Sequence, residues 1–203
     1  MSKTEFPLSI NSRPIYGVFE MRAGKHHLMI ADAEGAEALL DLATEAPADL
    51  WAKTHIIYIP KTTGTRYVAK LQALSPGQFY TGPSYEAAKQ RIADTFSKAH
   101  MGLQVYLAGT EGLMGQAMYA ATSAGVPHTA IQTEHRGSTA RRMQCVHCKG
   151  ITEDVALDPF VCSHCGLNLF IRDHYSRRIA AFQAVCVDAE DPGNVPESVE
   201  LFK

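Results

Sequence analysis

The chain has 203 residues, 46% hydrophobic and 20% charged, with a net charge of −2; this suits a folded protein with a substantial core and excludes intrinsic disorder. Lys and Arg are scattered, so no phosphate-neutralising face is present and nucleic acid is excluded as a main partner. The longest apolar runs, residues 28–31 and 56–59, fall far below the ~20 residues of a membrane span, and the opening MSKTEFPLSI lacks a signal peptide's apolar stretch, so no membrane contact and a cytoplasmic location with reduced thiols are expected.

In chain order, residues 26–31 read as a short apolar strand. Residues 34–44 read as a helix with Ala36, Leu39, Leu40 and Ala43 at helical spacing, ended by Pro47. Residues 55–60 form a second buried strand, Thr62, Thr63 and Gly64 a turn, and residues 67–71 a further strand before a loop rich in proline and glycine. Ser84 caps a helix reaching about residue 100, along which Ala88, Ile92 and Phe96 repeat every four positions. Residues 104–108 are the next strand, 113–124 a helix stopped by Gly125 and Pro127, and 129–133 the last strand. Strands alternating with helices predict an α/β domain with a doubly wound parallel sheet over residues 1–140. Residues 135–144, HRGSTARRMQ, lack apolar periodicity and read as a connector into a second domain, residues 141–203. The acidic, proline-interrupted tail from Asp188 reads as a surface arm or a frayed end.

Cys145-Val-His-Cys148 and Cys162-Ser-His-Cys165-Gly166 are two loops of identical spacing, thirteen residues apart. Two residues between paired cysteines let a tight turn aim both sulfurs at one point, and a glycine after the second admits the positive backbone angle such a turn needs. In a reduced compartment the doubled pattern predicts one metal ion held by Cys145, Cys148, Cys162 and Cys165. Four thiolates leave no vacancy, so His147 and His164 are expected to point outward. Cys186 lies in an apolar strand-like run and reads as a buried, inert thiol. Geometry alone leaves the metal open between zinc, a structural staple in a zinc ribbon, and a single iron, an electron carrier in a rubredoxin-like module.

No pair of His with a carboxylate at helical spacing and no haem-ligand motif is present, so no catalytic or nucleotide-binding residue is assigned. His26 and His27 read as core or edge residues, Asp32 and Glu34 as N-terminal caps of the first helix, and His174 with Asp173, Arg177 and Arg178 as a charged docking patch or a satisfied surface cluster.

The stretch from Val105, VYLAGTEGLM, followed by an alanine-rich helix, Gly125-Val-Pro and a strand, resembles the end of the nicotinamide-binding module of ferredoxin reductases, with LMIADAEGA from Leu28 standing at its first strand and turn. There the family's glycine-rich turn is replaced by Ala31, Asp32, Ala33 and Glu34, whose carboxylates and methyl groups repel and crowd a pyrophosphate, and the family's later cysteine, glycine and proline motif by Ala108, Gly109 and Thr110. Nor is the preceding flavin barrel expected, with some two dozen residues before Lys25. The run CSHCGLNLFIRDHYSRRIAAF from Cys162, with VCVDAEDPGNVP from Val185, resembles the C-terminal signature of the dimethylamine monooxygenase small-subunit family. That resemblance implies a non-catalytic subunit of an NAD(P)H-dependent oxygenase complex in which partner chains bind haem, flavin and an iron–sulfur cluster. The implied reaction is oxidative N-demethylation of dimethylamine to methylamine and formaldehyde, with this chain's metal, iron in the favoured reading, relaying electrons to the haem. Two other roles stay open: a zinc-binding structural adaptor of the same complex, and an independent zinc-ribbon interaction protein.

Overall fold

The computed structural model describes residues 14–47 and 49–202; the opening stretch in which a signal peptide was sought lies outside them. Two compact units divide between Ala140 and Arg141. Among the described residues no helix is long and apolar enough to cross a membrane.

The first unit is α/β. Strands β1 (His26–Asp32), β2 (Thr54–Ile59), β3 (Gln78–Thr81), β4 (Leu103–Gly109) and β5 (Ile131–His135) form one sheet in the order β3-β2-β1-β4-β5, parallel throughout. Helices α1 (Gly35–Ala43), α2 (Val68–Ala73), α3 (Tyr85–Ser97) and α4 (Glu111–Ser123) cover both faces. Strands buried on both sides have no polar face to alternate with, which is why β1, β2 and β4 read as continuous apolar runs. Met29, Ala31, Ile56, Tyr58, Tyr106 and Ala108 pack with Ala36, Leu39 and Leu71 of α1 and α2. The alternate residues Leu28, Ile30, Ile57, Ile59, Val105 and Leu107 pack with Ile92, Phe96, Leu113 and Ala117 of α3 and α4.

Caps behave as the side chains dictate: Ser84 accepts the Ala87 amide of α3 at 3.2 Å, and Thr110 that of Leu113 in α4 at 3.4 Å. The outer edge of β5 is bridged by the segment at residues 17–20. The Gly17 amide donates to the Thr133 carbonyl, and the Phe19 and Glu20 amides donate to the side chains of Glu134 and Gln132. An edge strand partnered in this way offers fewer free backbone groups to another chain.

Two assignments from sequence change. Residues 67–71 belong not to a strand but to the start of α2, with Tyr67 and Leu71 buried one helical turn apart against α1. The sheet's edge strand is instead β3, inside the stretch read as loop, where Phe79 and Tyr80 are bracketed by Gly77 and Gly82.

The second unit is a small β fold. Strands β6 (Arg141–Cys145), β7 (Ile151–Val155), β9 (Phe160–Val161), β10 (Asn168–Ser176) and β11 (Ala181–Cys186) lie in the order β7-β6-β11-β10-β9. The β6–β11 pairing is parallel and the others antiparallel. A separate two-stranded ladder joins β8 (Leu157–Asp158) to β12 (Val199–Glu200), so the tail beyond Asp188 returns to the unit. The expected connector also stops short: residues 141–144 are strand, and Arg141 is buried. Its guanidinium carbon lies over the rings of Phe182 and Phe202, 4.2 and 4.1 Å from their centroids, and the group donates to Asp173 at 2.6 Å. Asp173 is thus ion-paired while its side chain stays half exposed. Cys186 is half-buried rather than buried. Its thiol donates to the Asp188 carboxylate at 3.2 Å, and that bond pushes its pKa up.

His26 is exposed, whereas His27 and His55 are buried in the first unit. Burial, with Arg91 nearby, pushes His55 from its ordinary 6.5 down to about 4. The unfolded chain then binds more protons than the folded one between those values. The stability is therefore complete above about pH 6.5 and is lost as pH falls toward 4, by on the order of 3 kcal/mol. Urea midpoints measured at about pH 7.5 and 5 should fall further for the wild type than for His55→Gln, which cannot titrate. Equal falls in the two proteins would show that His55 is not the group responsible.

Candidate metal centre

Strand β6 ends on Cys145 and β9 runs into Cys162, so the two cysteine loops leave two strands of one small sheet. Each closes on itself in the same way. The Lys149 amide donates to the Cys145 carbonyl and the Cys145 amide to the Gly150 carbonyl; the Gly166 amide donates to the Cys162 carbonyl and the Cys162 amide to the Leu167 carbonyl. In both loops the residue after the second cysteine has a positive φ, 63° at Lys149 and 74° at Gly166. A side chain at Gly166 would touch nothing, so backbone angle alone calls for glycine there, and the first loop accepts the strain of a lysine instead.

The loops are also tied to each other. Thr152 and Ser163 hydroxyls lie 3.0 Å apart, and the His164 ring bonds the Ile151 carbonyl at 2.8 Å while lying against Gly150. His147 and His164 are exposed, as the crowding of four thiols predicts. All four Sγ atoms lie within 4.8 Å of one another. The Cys145–Cys165 and Cys148–Cys162 separations are 3.9 and 3.7 Å, far beyond a disulfide bond of ~2.05 Å. A tetrahedral ion with metal–sulfur bonds of ~2.3 Å has edges of about 3.8 Å. The four cysteines can therefore hold one metal ion with little movement.

The electrostatics match. Burial of Cys162 opposes ionisation, but the amides of Cys165 and His164 aimed at its sulfur outweigh it and bring the thiol down to about 6. The Leu167 amide favours a thiolate at Cys165, yet burial and the neighbouring thiols prevail and push that group up to about 12. A bound cation is what lets all four ionise together.

Family comparisons bear on both units. Residues 8–131 match the N-terminal domain, and residues 142–185 the C-terminal domain, of the dimethylamine monooxygenase subunit DmmA-like proteins. The chain belongs to that family. It is also similar, at 29% identity over 110 residues, to the delta subunit of a heme-dependent oxidative N-demethylase from Ectopseudomonas mendocina (strain ymp). The match covers 54% of this chain and 63% of that protein's length. Among solved structures, a phthalate dioxygenase reductase is similar at 15% identity and a TM-score of 0.46, covering 69% of this chain and 47% of that one. A siderophore-interacting protein from Aeromonas hydrophila is similar at 20% identity and a TM-score of 0.39, over 58% and 54% of the two chains.

At the carboxyl end of the parallel sheet, this DmmA-like chain places a carboxylate bonded by its own groups. Open α/β sheets bind ligands where strand order reverses, here between β1 and β4. Asp32 was expected to cap α1. Instead it is completely buried, accepts the Thr110 amide at 2.7 Å and the Thr110 hydroxyl at 2.6 Å, and lies 3.1 Å from Lys61 Nζ. Glu34 occupies the N-cap position but its side chain makes no capping bond. Close approach explains two glycines: a Cβ on Gly109 would lie 1.9 Å from Asp32 Oδ1, and one on Gly35 2.4 Å from the Ala108 carbonyl oxygen. Sequence reasoning noticed Asp32 but not its role, which depends on β1 and β4 being neighbours.

Two outcomes follow for solution work. Cys148→Ser or Cys162→Ser should lose the metal and destabilise the C-terminal unit, because so small a core commonly needs a staple. Lys149→Gly should instead keep the metal and raise stability by up to about 1 kcal/mol through relief of the left-handed backbone. Metal analysis and thermal unfolding check both; full metal content in either serine variant would remove that residue from the ligand set. Calorimetric titration of the whole chain with NADH or NADPH should show no binding in the micromolar range, since the Asp32 carboxylate lies where a pyrophosphate would be received; binding there would restore a nucleotide site.

Proposed function

We propose that this chain is the metal-carrying, non-catalytic subunit of a multi-subunit monooxygenase that converts dimethylamine to methylamine and formaldehyde, and that its iron relays electrons between a flavin or iron–sulfur subunit and a haem subunit. The reading is carried by one conjunction: membership of the DmmA-like family together with four sulfurs placed for a single ion. The relationship to an oxidative N-demethylase subunit supports oxidoreductase partners.

Cys145, Cys148, Cys162 and Cys165 would hold the ion. Iron bound to four thiolates supplies one-electron transfer with almost no change of geometry. The chain's own contribution is to hold the sulfurs rigidly and to tune them by amide donation, as the Gly150 amide does toward Cys148 Sγ at 3.4 Å. Cys145 and Cys162 are buried and Cys148 is exposed, so a partner would approach the site on the Cys148 side. One observation favours a second reading, in which zinc makes the chain a structural adaptor: Cys145 and Cys162 are members of the unit's hydrophobic cluster, beside Met143, Phe160 and Phe182, where a redox-inactive ion serves as well.

Stopped-flow reduction of the haem separates the two. In reconstituted complexes, replacing iron by zinc in this subunit should slow haem reduction by orders of magnitude while leaving assembly intact. Unchanged rates with zinc would leave the adaptor reading standing and end the relay.

A further inference from the structure

The two cysteine loops close by the same pattern of backbone bonds, and each turns through a positive φ immediately after its second cysteine, at Lys149 and at Gly166. Glycine meets that backbone angle without strain, so lysine is the costlier residue at an otherwise equivalent position. The second loop closes with no side chain there at all, so the turn itself does not require one. A strained residue kept beside a functional group points to a use for its side chain.

What Lys149 adds is a charge in a fixed place. Its Nζ donates to the Val146 carbonyl at 2.6 Å, which draws the ammonium back onto the loop that carries Cys145 and Cys148. Across residues 145–150 and 162–167, Lys149 is the one side chain of permanent charge. Its chain neighbour Cys148 is the exposed member of the four cysteines. Four thiolates leave a ferric ion one negative charge in excess and a ferrous ion two, so a cation held on this loop favours the ferrous form more than the ferric.

We propose that Lys149 is a positioning residue for charge, which raises the reduction potential of the iron held by Cys145, Cys148, Cys162 and Cys165. When one electron enters from the donor subunit, ferric iron becomes ferrous, no proton moves, and the ammonium offsets the added negative charge. The inference rests on the iron reading of the site and goes beyond it by naming the group that sets how readily the centre accepts an electron.

The test uses the full chain loaded anaerobically with iron, so the result is readable whichever ion the cell inserts; metal analysis of the native complex tests the relay separately. Spectroelectrochemical titration compares the wild type with three variants. Lys149→Gln keeps the strained backbone and removes the charge, Lys149→Arg keeps the charge, and Lys149→Gly removes both charge and strain. The glutamine and glycine variants should favour the ferric form at least about threefold more than the wild type, a fall of about 28 mV at ~59 mV per tenfold for a one-electron couple. Lys149→Arg should hold the wild-type potential, and the gap should narrow in about 1 M salt because Lys149 is exposed. Arg178→Gln removes an exposed charge at the opposite end of the β10–β11 hairpin and should leave the potential unchanged. A potential that falls in Lys149→Gly while its thermal stability rises separates the charge from any structural role. An unchanged midpoint in both Lys149→Gln and Lys149→Gly, or an equal fall in Arg178→Gln, would overturn the proposal.

Discussion

A completely buried carboxylate is tolerated only when its oxygens are bonded and its charge is met, and the first unit is arranged around one. Asp32 ends β1, the central strand. Its two oxygens are taken by Thr110, at the start of α4, and Lys61, just beyond β2, stands over one of them. Three segments that are far apart in sequence thus converge on a single side chain. Gly109 and Gly35 follow from the same closure, because only residues without a Cβ let β1, β4 and α1 approach so closely. The arrangement keeps the parallel architecture while placing an internal anion where such folds usually receive an external one.

The C-terminal unit solves a different problem. Its apolar core is small, and two of its members, Cys145 and Cys162, are proposed sulfur ligands as well as hydrophobic residues. Packing and the proposed coordination would therefore act on the same atoms. The repeated hydrogen-bond closure of the two loops, and the His164 and Thr152 links between them, fix the sulfurs without disulfides. The polar half of the cluster, Cys148 and Cys165, remains nearer solvent.

Much of this was legible in the sequence because it rests on local rules. Doubly buried strands announce themselves as apolar runs, Ser84 as a cap, and doubled cysteine pairs as a cluster. The failures have equally physical causes. Residues 67–71 alternate well enough for a strand, yet Tyr67 and Leu71 also stand one helical turn apart, and burial against α1 decided between them. β3 is only four residues long, and its flanking glycines and prolines hid it, although Phe79 and Tyr80 between two turn signals were a usable clue. Asp32, Lys149 and Arg141 could not be read from neighbours in the chain: one needs the strand order, one a backbone angle, one the partners supplied by Phe182 and Phe202.

Those last partners tie the far end of the described residues to the core of their unit. The Phe202 ring lies 4.1 Å from the Arg141 guanidinium carbon, which the Phe182 ring approaches to 4.2 Å. Cation–ring contacts of this kind strengthen when water is kept away. Replacing the Phe202 ring, as in Phe202→Ala, would uncover a buried guanidinium rather than alter a spare surface group.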